Sequence, residues 1–268
     1  MKVHTRKFLF DLLNDNKNGE KMKQSQKSPN IFSRIKELKT FIYYYLKGEP
    51  PVTESSITKE FIYQLVSKPN PTILEIGCND GSNTLWFLEI FDSPKIFCFE
   101  PDPRAASRFK QKIGSRPEVS LYEFAISNKD GKETFHMSSG EENETMPEGW
   151  DYSGSIRKPK NHLVVHPWCK FEKEIIVKTK RLDTWCKEKE IDRIDFMWMD
   201  VQGAEIDVIQ GGRNALKNTR YLYTEYNNKE LYEGQLSLKQ LLKQLPEFEV
   251  VIRYPDDILL KNKNELDL

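Results

Sequence analysis

From Thr72 onward, short apolar runs alternate with stretches in which apolar residues recur every three or four positions. The first pattern is that of buried strands and the second that of helices. Strands are predicted at 72–76, 95–100, 119–124, 174–180, 194–199, 220–226, 248–253 and 257–260. Helices are predicted near 82–91 and 103–112, from Asp183, from about Ala204, and over 236–244. Asn128-Lys129-Asp130-Gly131 reads as the turn of a hairpin that follows the third strand. A long polar segment with Gly and Pro covers roughly 138–170. This βαβ alternation predicts an α/β fold, a doubly wound and mostly parallel sheet with helices on both faces.

Upstream the pattern changes. Residues 15–30 carry almost no apolar side chains and read as a flexible linker. Apolar positions at 31, 32, 35, 38, 41, 42, 45 and 46 have helical spacing, and Gly48 with Pro50-Pro51 stops that helix. A second helix is expected from Thr58 to Ser67, placed to act as a lid on a cleft at the first strand. Residues 1–50 are thus read as a basic, partly flexible N-terminal arm and helix, and 51–268 as the α/β domain.

Charge and cysteines narrow the possibilities. Lys+Arg and Asp+Glu are both 41, so nothing overall favours a nucleic-acid partner. Residues 1–47 hold eleven Lys and Arg against four Asp and Glu, a net of +7, which leaves −7 on the rest. A basic arm on an acidic body can make peripheral contact with a membrane surface or an acidic partner. A solvated leader is the plainer alternative. Phe8-Leu9-Phe10 is too short for a signal peptide, and Phe41 to Leu46 is far below a membrane span. Cys78, Cys98, Cys169 and Cys186 match no zinc spacing and, as free thiols, fit a reducing cytoplasm.

The candidate chemistry begins at Ile73-Leu74-Glu75-Ile76-Gly77-Cys78-Asn79-Asp80-Gly81-Ser82-Asn83-Thr84. A strand delivers a Gly-rich turn, and a second strand, Ile96-Phe97-Cys98-Phe99, ends in Glu100. Open α/β sheets hold nucleotide-like cofactors this way. A dinucleotide fingerprint needs G-x-G-x-x-G to seat a pyrophosphate, whereas this turn is E-x-G-x-x-x-G, with Asn79 where the second Gly would stand. The spacing suits a cofactor without pyrophosphate, S-adenosylmethionine. Glu100 is placed to accept hydrogen bonds from both ribose hydroxyls, and Glu75 to lie near a bound amino-acid amine. Gly77 and Gly81 allow close backbone approach. Phe124-Ala125-Ile126-Ser127 follows the third strand, where Ala125 and Ile126 can meet an adenine edge or simply end a strand.

Asp195-Phe196-Met197-Trp198-Met199-Asp200-Val201-Gln202-Gly203-Ala204-Glu205 is a buried strand ending in Asp200, at the carboxyl edge where such sheets place their sites. Asp200 can orient or deprotonate a hydroxyl for attack on a sulfonium methyl. Glu205 either contributes to the site or pairs with its helix N-terminus.

These pieces together resemble the FkbM family of S-adenosylmethionine-dependent methyltransferases. The resemblance rests on Leu74 to Gly81, Phe99-Glu100-Pro101, Ala125-Ile126-Ser127, Leu182-Asp183-Thr184-Trp185 and Asp200-Val201-Gln202-Gly203-Ala204-Glu205, in order over about 72–226. It implies a Rossmann-like class I methyltransferase with a seven-stranded sheet, here carrying an N-terminal helical extension. It further implies action on hydroxyls of sugars, polysaccharides or natural products, in glycan or secondary-metabolite pathways. Gly77, Asn79, Gly81, Asn83, Glu100, Pro101, Asp200 and Gln202 are the residues expected at the cofactor.

The acceptor side is assigned to the long segment before strand 174–180. Asp151 to Ile156 and Lys158 to His162 are read as a substrate cover, with Trp168 as a stacking surface for a sugar ring. His162 or His166 would assist Asp200. Their i, i+4 spacing also suits a metal, although no third ligand is evident. Glu225 should end a strand beside that of Asp200. Together with Asn227, the two offer oxygen ligands to Mg²⁺, the alternative being that Glu225 bonds substrate without metal. Two other functions remain open. One is methyl transfer to nucleic acid or protein. The other is a non-catalytic cofactor-binding module or an NAD-linked oxidoreductase.

Overall fold

The computed structural model describes residues 52–53, 56–140 and 149–264. The linker at 15–30, the helix at 31–46 and the basic arm expected from the sequence lie outside the described residues. The first helix described, α1 (Lys59–Val66), is capped by Thr58, whose hydroxyl accepts from the Phe61 N–H. Then follow β1 (Thr72–Ile76), α2 (Ser82–Ile90), β2 (Lys95–Phe99), α3 (Pro103–Ile113), β3 (Val119–Tyr122), β4 (Ala125–Ser127), β5 (Gly131–Ser139), α4 (His162–Val165) and β6 (Lys170–Arg181). The chain closes with α5 (Leu182–Glu188), β7 (Ile194–Met199), α6 (Glu205–Gly211), α7 (Arg213–Lys217), β8 (Thr219–Glu225), α8 (Leu238–Gln244), β9 (Phe248–Arg253) and β10 (Asp257–Asn262).

Seven of these strands form one sheet in the order β3-β2-β1-β7-β8-β10-β9. β10 runs antiparallel to both neighbours, and the pairs from β3 to β8 are parallel. The sheet is the expected mostly parallel, doubly wound one. Its strands read as unbroken apolar runs because both faces are covered. Leu74, Ile76, Met197 and Met199 pack into one core layer, and Ile73, Ile96, Cys98 and Phe196 into the other. The order reverses between β1 and β7, so their carboxyl ends flank the crevice where ligands bind in such sheets.

Two expectations change. The predicted hairpin does not form: β4 pairs parallel with β6 and β5 pairs antiparallel with β6, in the order β4-β6-β5. The 128–131 turn therefore spans a strand that arrives some forty residues later, which local turn chemistry does not register. Helix α1 is no lid. Its Ile62, Leu65 and Val66 are buried against Ile73, Phe87 and Phe196 on a sheet face. Among the described residues no helix is long and apolar enough to cross a membrane. All four cysteines are buried and free.

Candidate active site

The turn after β1 is set by its neighbours in the sheet. The Gly77 and Cys78 amides donate to the Phe99 carbonyl at 2.9 and 3.1 Å, and the Asp200 amide donates to the Ile76 carbonyl at 2.9 Å. Gly77 has φ +85°, and a Cβ there would collide with the Asp200 carbonyl. Its smallness thus seats the end of β7 against the turn. At the end of β2, Glu100 accepts from the Asn79 amide at 2.9 Å and the Asp102 amide at 2.7 Å. Asp102 in turn caps α3, with Pro103 at its first position. Burial pushes the Glu100 carboxyl up to about 8.

These elements surround a cleft with about 630 Å³ of empty volume. Gly77, Asn79, Glu100 and Pro101 form one wall, and Phe99, Phe124, Ala125 and Ile126 an apolar flank. Asp200, Val201 and Gln202 form the floor. Across from the floor stand Asp151, Tyr152 and residues 154–156, from the segment that follows β5. A buried carboxyl, Glu100, beside the apolar side chains of Phe99, Phe124 and Ile126 is a lining that suits the ribose and adenine of S-adenosylmethionine.

Behind the floor a second carboxyl, Glu225, joins Asp200. β7 and β8 run parallel with Met199 opposite Thr224, which sets Asp200 beside Glu225. The Gln202 amide lies between them and donates to Asp200 Oδ1 at 2.7 Å and to Glu225 Oε2 at 2.8 Å. Burial and the Asp200 charge push the Glu225 carboxyl well above its ordinary range. Gln202 reaches this position with φ +53°, in a turn completed by Gly203 at φ +87°. A Cβ on Gly203 would stand 2.7 Å from the Tyr232 ring.

The segment across the cleft is fastened at several points. Asp151, its side chain fully buried, pairs with Arg108 of α3. Arg157 makes a two-pronged pair with Asp207 of α6, at 2.7 and 2.8 Å, and donates to the Glu233 carbonyl at 2.8 Å. The Tyr232 hydroxyl donates to the Ser153 carbonyl at 2.7 Å.

A family profile described as the methyltransferase FkbM domain matches residues 75–257. The chain belongs to the FkbM methyltransferase family. It is similar to the 2-O-methyltransferase NoeI of Sinorhizobium fredii, with 47% identity over 222 residues, covering 81% of this chain and 90% of NoeI. It also resembles a stretch of the AMB antimetabolite synthetase AmbE of Pseudomonas aeruginosa, at 25% identity over 220 residues. That match covers 74% of this chain and 10% of AmbE. Among solved structures, the N-methyltransferase NodS of Bradyrhizobium japonicum WM9 in complex with S-adenosyl-L-homocysteine matches with a TM-score of 0.40 and 11% identity, covering 98% of this chain and 100% of that one. The protein is an S-adenosylmethionine-dependent methyltransferase of this family.

In this FkbM methyltransferase, eight residues expected at the cofactor line the cleft: Gly77, Asn79, Glu100, Pro101, Ala125, Ile126, Asp200 and Gln202. Three do not. Glu75 is fully buried beneath the turn and accepts from the Thr84 hydroxyl. Gly81 is closed in by Phe109 and Ile113, which a Cβ would meet at 2.8 and 2.9 Å, so it serves helix packing rather than ligand approach. Asn83 lies in the first turn of α2 and is not part of the lining.

The acceptor-side residues are more scattered. Glu225 joins Asp200 through Gln202. Glu205 is buried and accepts from the Gly203 amide at 3.2 Å, the helix N-terminal alternative, and burial pushes it up to about 7. Asn227 turns back to accept from the Lys229 amide at 2.8 Å. His162 and His166 lie outside the lining, their rings 4.9 Å apart. His162 is buried against Phe171 and Tyr232, and burial lowers it to about 4. Among the described residues no three His, Cys, Asp or Glu are grouped to hold a metal.

Sequence reading gave no role to Arg108, Arg157 or Tyr232, and placed Asp151 and Tyr152 in the substrate cover without naming their partners. Arg104 and Arg108 are four apart in α3, a spacing that puts both on one helix face, and this was the one available signal. The partners of these residues lie 30 to 79 positions away, where spacing says nothing.

Proposed function

We propose that the chain transfers a methyl group from S-adenosylmethionine to a hydroxyl of a saccharide or glycoconjugate. The observation that carries this reading is Asp200 and Gln202 on the cleft floor, backed by Glu225 through the Gln202 amide, next to the wall formed by Glu100. The similarity to NoeI, a 2-O-methyltransferase, supports oxygen as the accepting atom.

When bound, S-adenosylmethionine supplies an electrophilic methyl group on a sulfonium. Glu100 would hold the ribose hydroxyls with the lone pairs not used by the Asn79 and Asp102 amides. Phe99, Phe124 and Ile126 would flank the adenine. Asp200 accepts the acceptor hydroxyl proton as the oxygen attacks, so that no alkoxide forms ahead of the reaction. Gln202 occupies one Asp200 oxygen and leaves the other for the acceptor. Glu225 keeps its proton, which spares the floor a second buried negative charge. The cover excludes water, and alignment supplies much of the rate.

Mg²⁺, which Asp200 and Glu225 would hold, is the second reading. The Gln202 amide protons are directed at both carboxylates, into the space such an ion would need, and this supports the metal-free form.

The test is methyl transfer from labelled cofactor to a panel of nucleotide sugars and oligosaccharides, with EDTA or Mg²⁺, for wild type and Asp200→Asn. Product with wild type in EDTA, and turnover at least a hundredfold lower with Asp200→Asn, is expected. Full turnover by the variant removes Asp200 as the base. A strict Mg²⁺ requirement restores the second reading.

A further inference from the structure

Beyond the cleft, three aromatic rings continue its covered side outward. Tyr152 lines the cleft, yet 40% of it is exposed. Its ring lies 5.0 Å from that of Trp150, and Trp150 lies 5.0 Å from Trp168 in an edge-to-face contact. Trp168 is 44% exposed. A large ring that stays open to water despite a packing partner is not a core residue, and two such rings flank one anchored ring.

The anchor is built. Trp150 Nε1 donates to Ser153 Oγ at 3.0 Å. The Ser138 hydroxyl donates to the Trp150 carbonyl and accepts from the Ser153 amide, both at 3.1 Å. A Cβ on Gly140 would approach Trp150 at 3.2 Å and Trp168 at 3.4 Å, so its absence leaves the two rings room to meet. The ledge is therefore fixed before any ligand arrives, and ordering it adds little to the cost of binding.

We propose that Tyr152 and Trp168 form an extended acceptor subsite for a glycan chain of two or more rings, so that the acceptor is an oligosaccharide rather than a single sugar or a nucleotide sugar. This rests on the reading of the chain as a sugar O-methyltransferase. The apolar face of a pyranose stacks on an aromatic ring, as other flat, partly apolar surfaces do. Tyr152 lies at the cleft, beside the ring that carries the reacting hydroxyl. Trp168, one ring further out, meets the next part of the chain. The subsite continues the cleft and faces solvent, as a chain that extends from the reacting ring requires. A nucleotide sugar would place a diphosphate along the same path, where the basic side chain near Tyr152, Arg108, is already engaged by Asp151.

The experiment measures kcat/KM for methyl transfer to single sugars, nucleotide sugars and oligosaccharides of two to six rings, with wild type, Trp168→Ala, Trp168→Phe and Tyr152→Ala. Oligosaccharides are expected to exceed their single-ring counterparts by about tenfold or more, the effect of one good stacking contact. Trp168→Ala should lose that advantage while keeping wild-type affinity for S-adenosylhomocysteine, which reports a folded protein, and Trp168→Phe should keep part of it. Methylation of sugars with no length preference, or a length preference untouched by Trp168→Ala, overturns the subsite and leaves the sugar reading standing. Transfer to no sugar of any length overturns both.

Discussion

The Tyr232 hydroxyl lies 3.2 Å from Gln202 Oε1 and 2.7 Å from the Ser153 carbonyl oxygen. One phenol thus touches both the carboxylate floor and the segment across the cleft. Its one proton is shared between these two acceptor oxygens, and the share that reaches Gln202 Oε1 favours the amide orientation with the NH₂ end on Asp200 and Glu225. Tyr232→Phe should leave that amide free to turn. The expected result is a kcat lower by about tenfold, or roughly 1–1.5 kcal/mol, with the KM for S-adenosylmethionine unchanged. Steady-state kinetics on the purified variant, with the acceptor found by screening, separates this from a general loss of fold, which would move both constants.

Glu100 gives the most direct test of the cofactor wall. Its two oxygens already accept backbone amides, so the shape of the turn depends on it as well as any ribose contact. Glu100→Gln keeps the size and one acceptor but turns the other oxygen into an NH₂ donor that faces a backbone amide. Affinity for S-adenosylhomocysteine, measured by calorimetry, should fall about ten- to thirtyfold, the equivalent of roughly 1.5–2 kcal/mol. Unchanged affinity would remove Glu100 from the site.

Most of the main sheet was legible because each strand is a local apolar run, and the reversal of strand order follows from where βαβ units alternate. The cofactor wall was legible for the same reason: Gly77, Asn79 and Glu100 sit at strand ends, and strand ends at a switch point meet. The small sheet was not legible. Its pairing of β4 with β6 joins Ala125 to Thr179, and nothing in Asn128 to Gly131 distinguishes a hairpin turn from a turn that leaves room for a third strand. The histidines mislead for a related reason. His162 has the sequence surroundings of a loop ligand, but its burial comes from Phe171 and Tyr232, one of them 70 positions away in the chain.

The Arg157–Asp207 pair should matter more for the acceptor than for the cofactor. It ties the segment across the cleft to α6, and Asp207 is almost wholly buried. Removing Arg157 leaves that carboxylate short of its charged partner, with Asn128 Nδ2 still donating at 2.9 Å. Arg157→Ala is expected to cost about 1–3 kcal/mol of stability and to raise the acceptor KM several-fold. The double variant Arg157→Ala/Asp207→Ala should be more stable than the sum of the single losses implies, because no unpaired charge remains. Strict additivity in chemical denaturation would mean the two side chains do not act on each other.

Glu75 should make the protein less stable as pH rises. It is fully buried, its Oε2 accepts from the Thr84 hydroxyl and the Cys98 thiol, and the Asn83 side chain adds a further hydrogen bond. Burial pushes it from an ordinary value near 4.5 up to about 8. The folded chain therefore holds a proton that the unfolded chain releases above pH 4.5. Where the folded state binds more protons, stability falls with rising pH, so this contribution declines between about pH 4.5 and 8 and levels off beyond. By pH 7 the loss is on the order of 3 kcal/mol relative to pH 4.5, before other groups are counted. Glu75→Gln keeps the shape without the titration, so its melting temperature should depend less on pH than that of wild type between pH 5 and 8, with the larger gap at pH 8. Parallel melting curves with and without the substitution would contradict this account of the buried carboxyl.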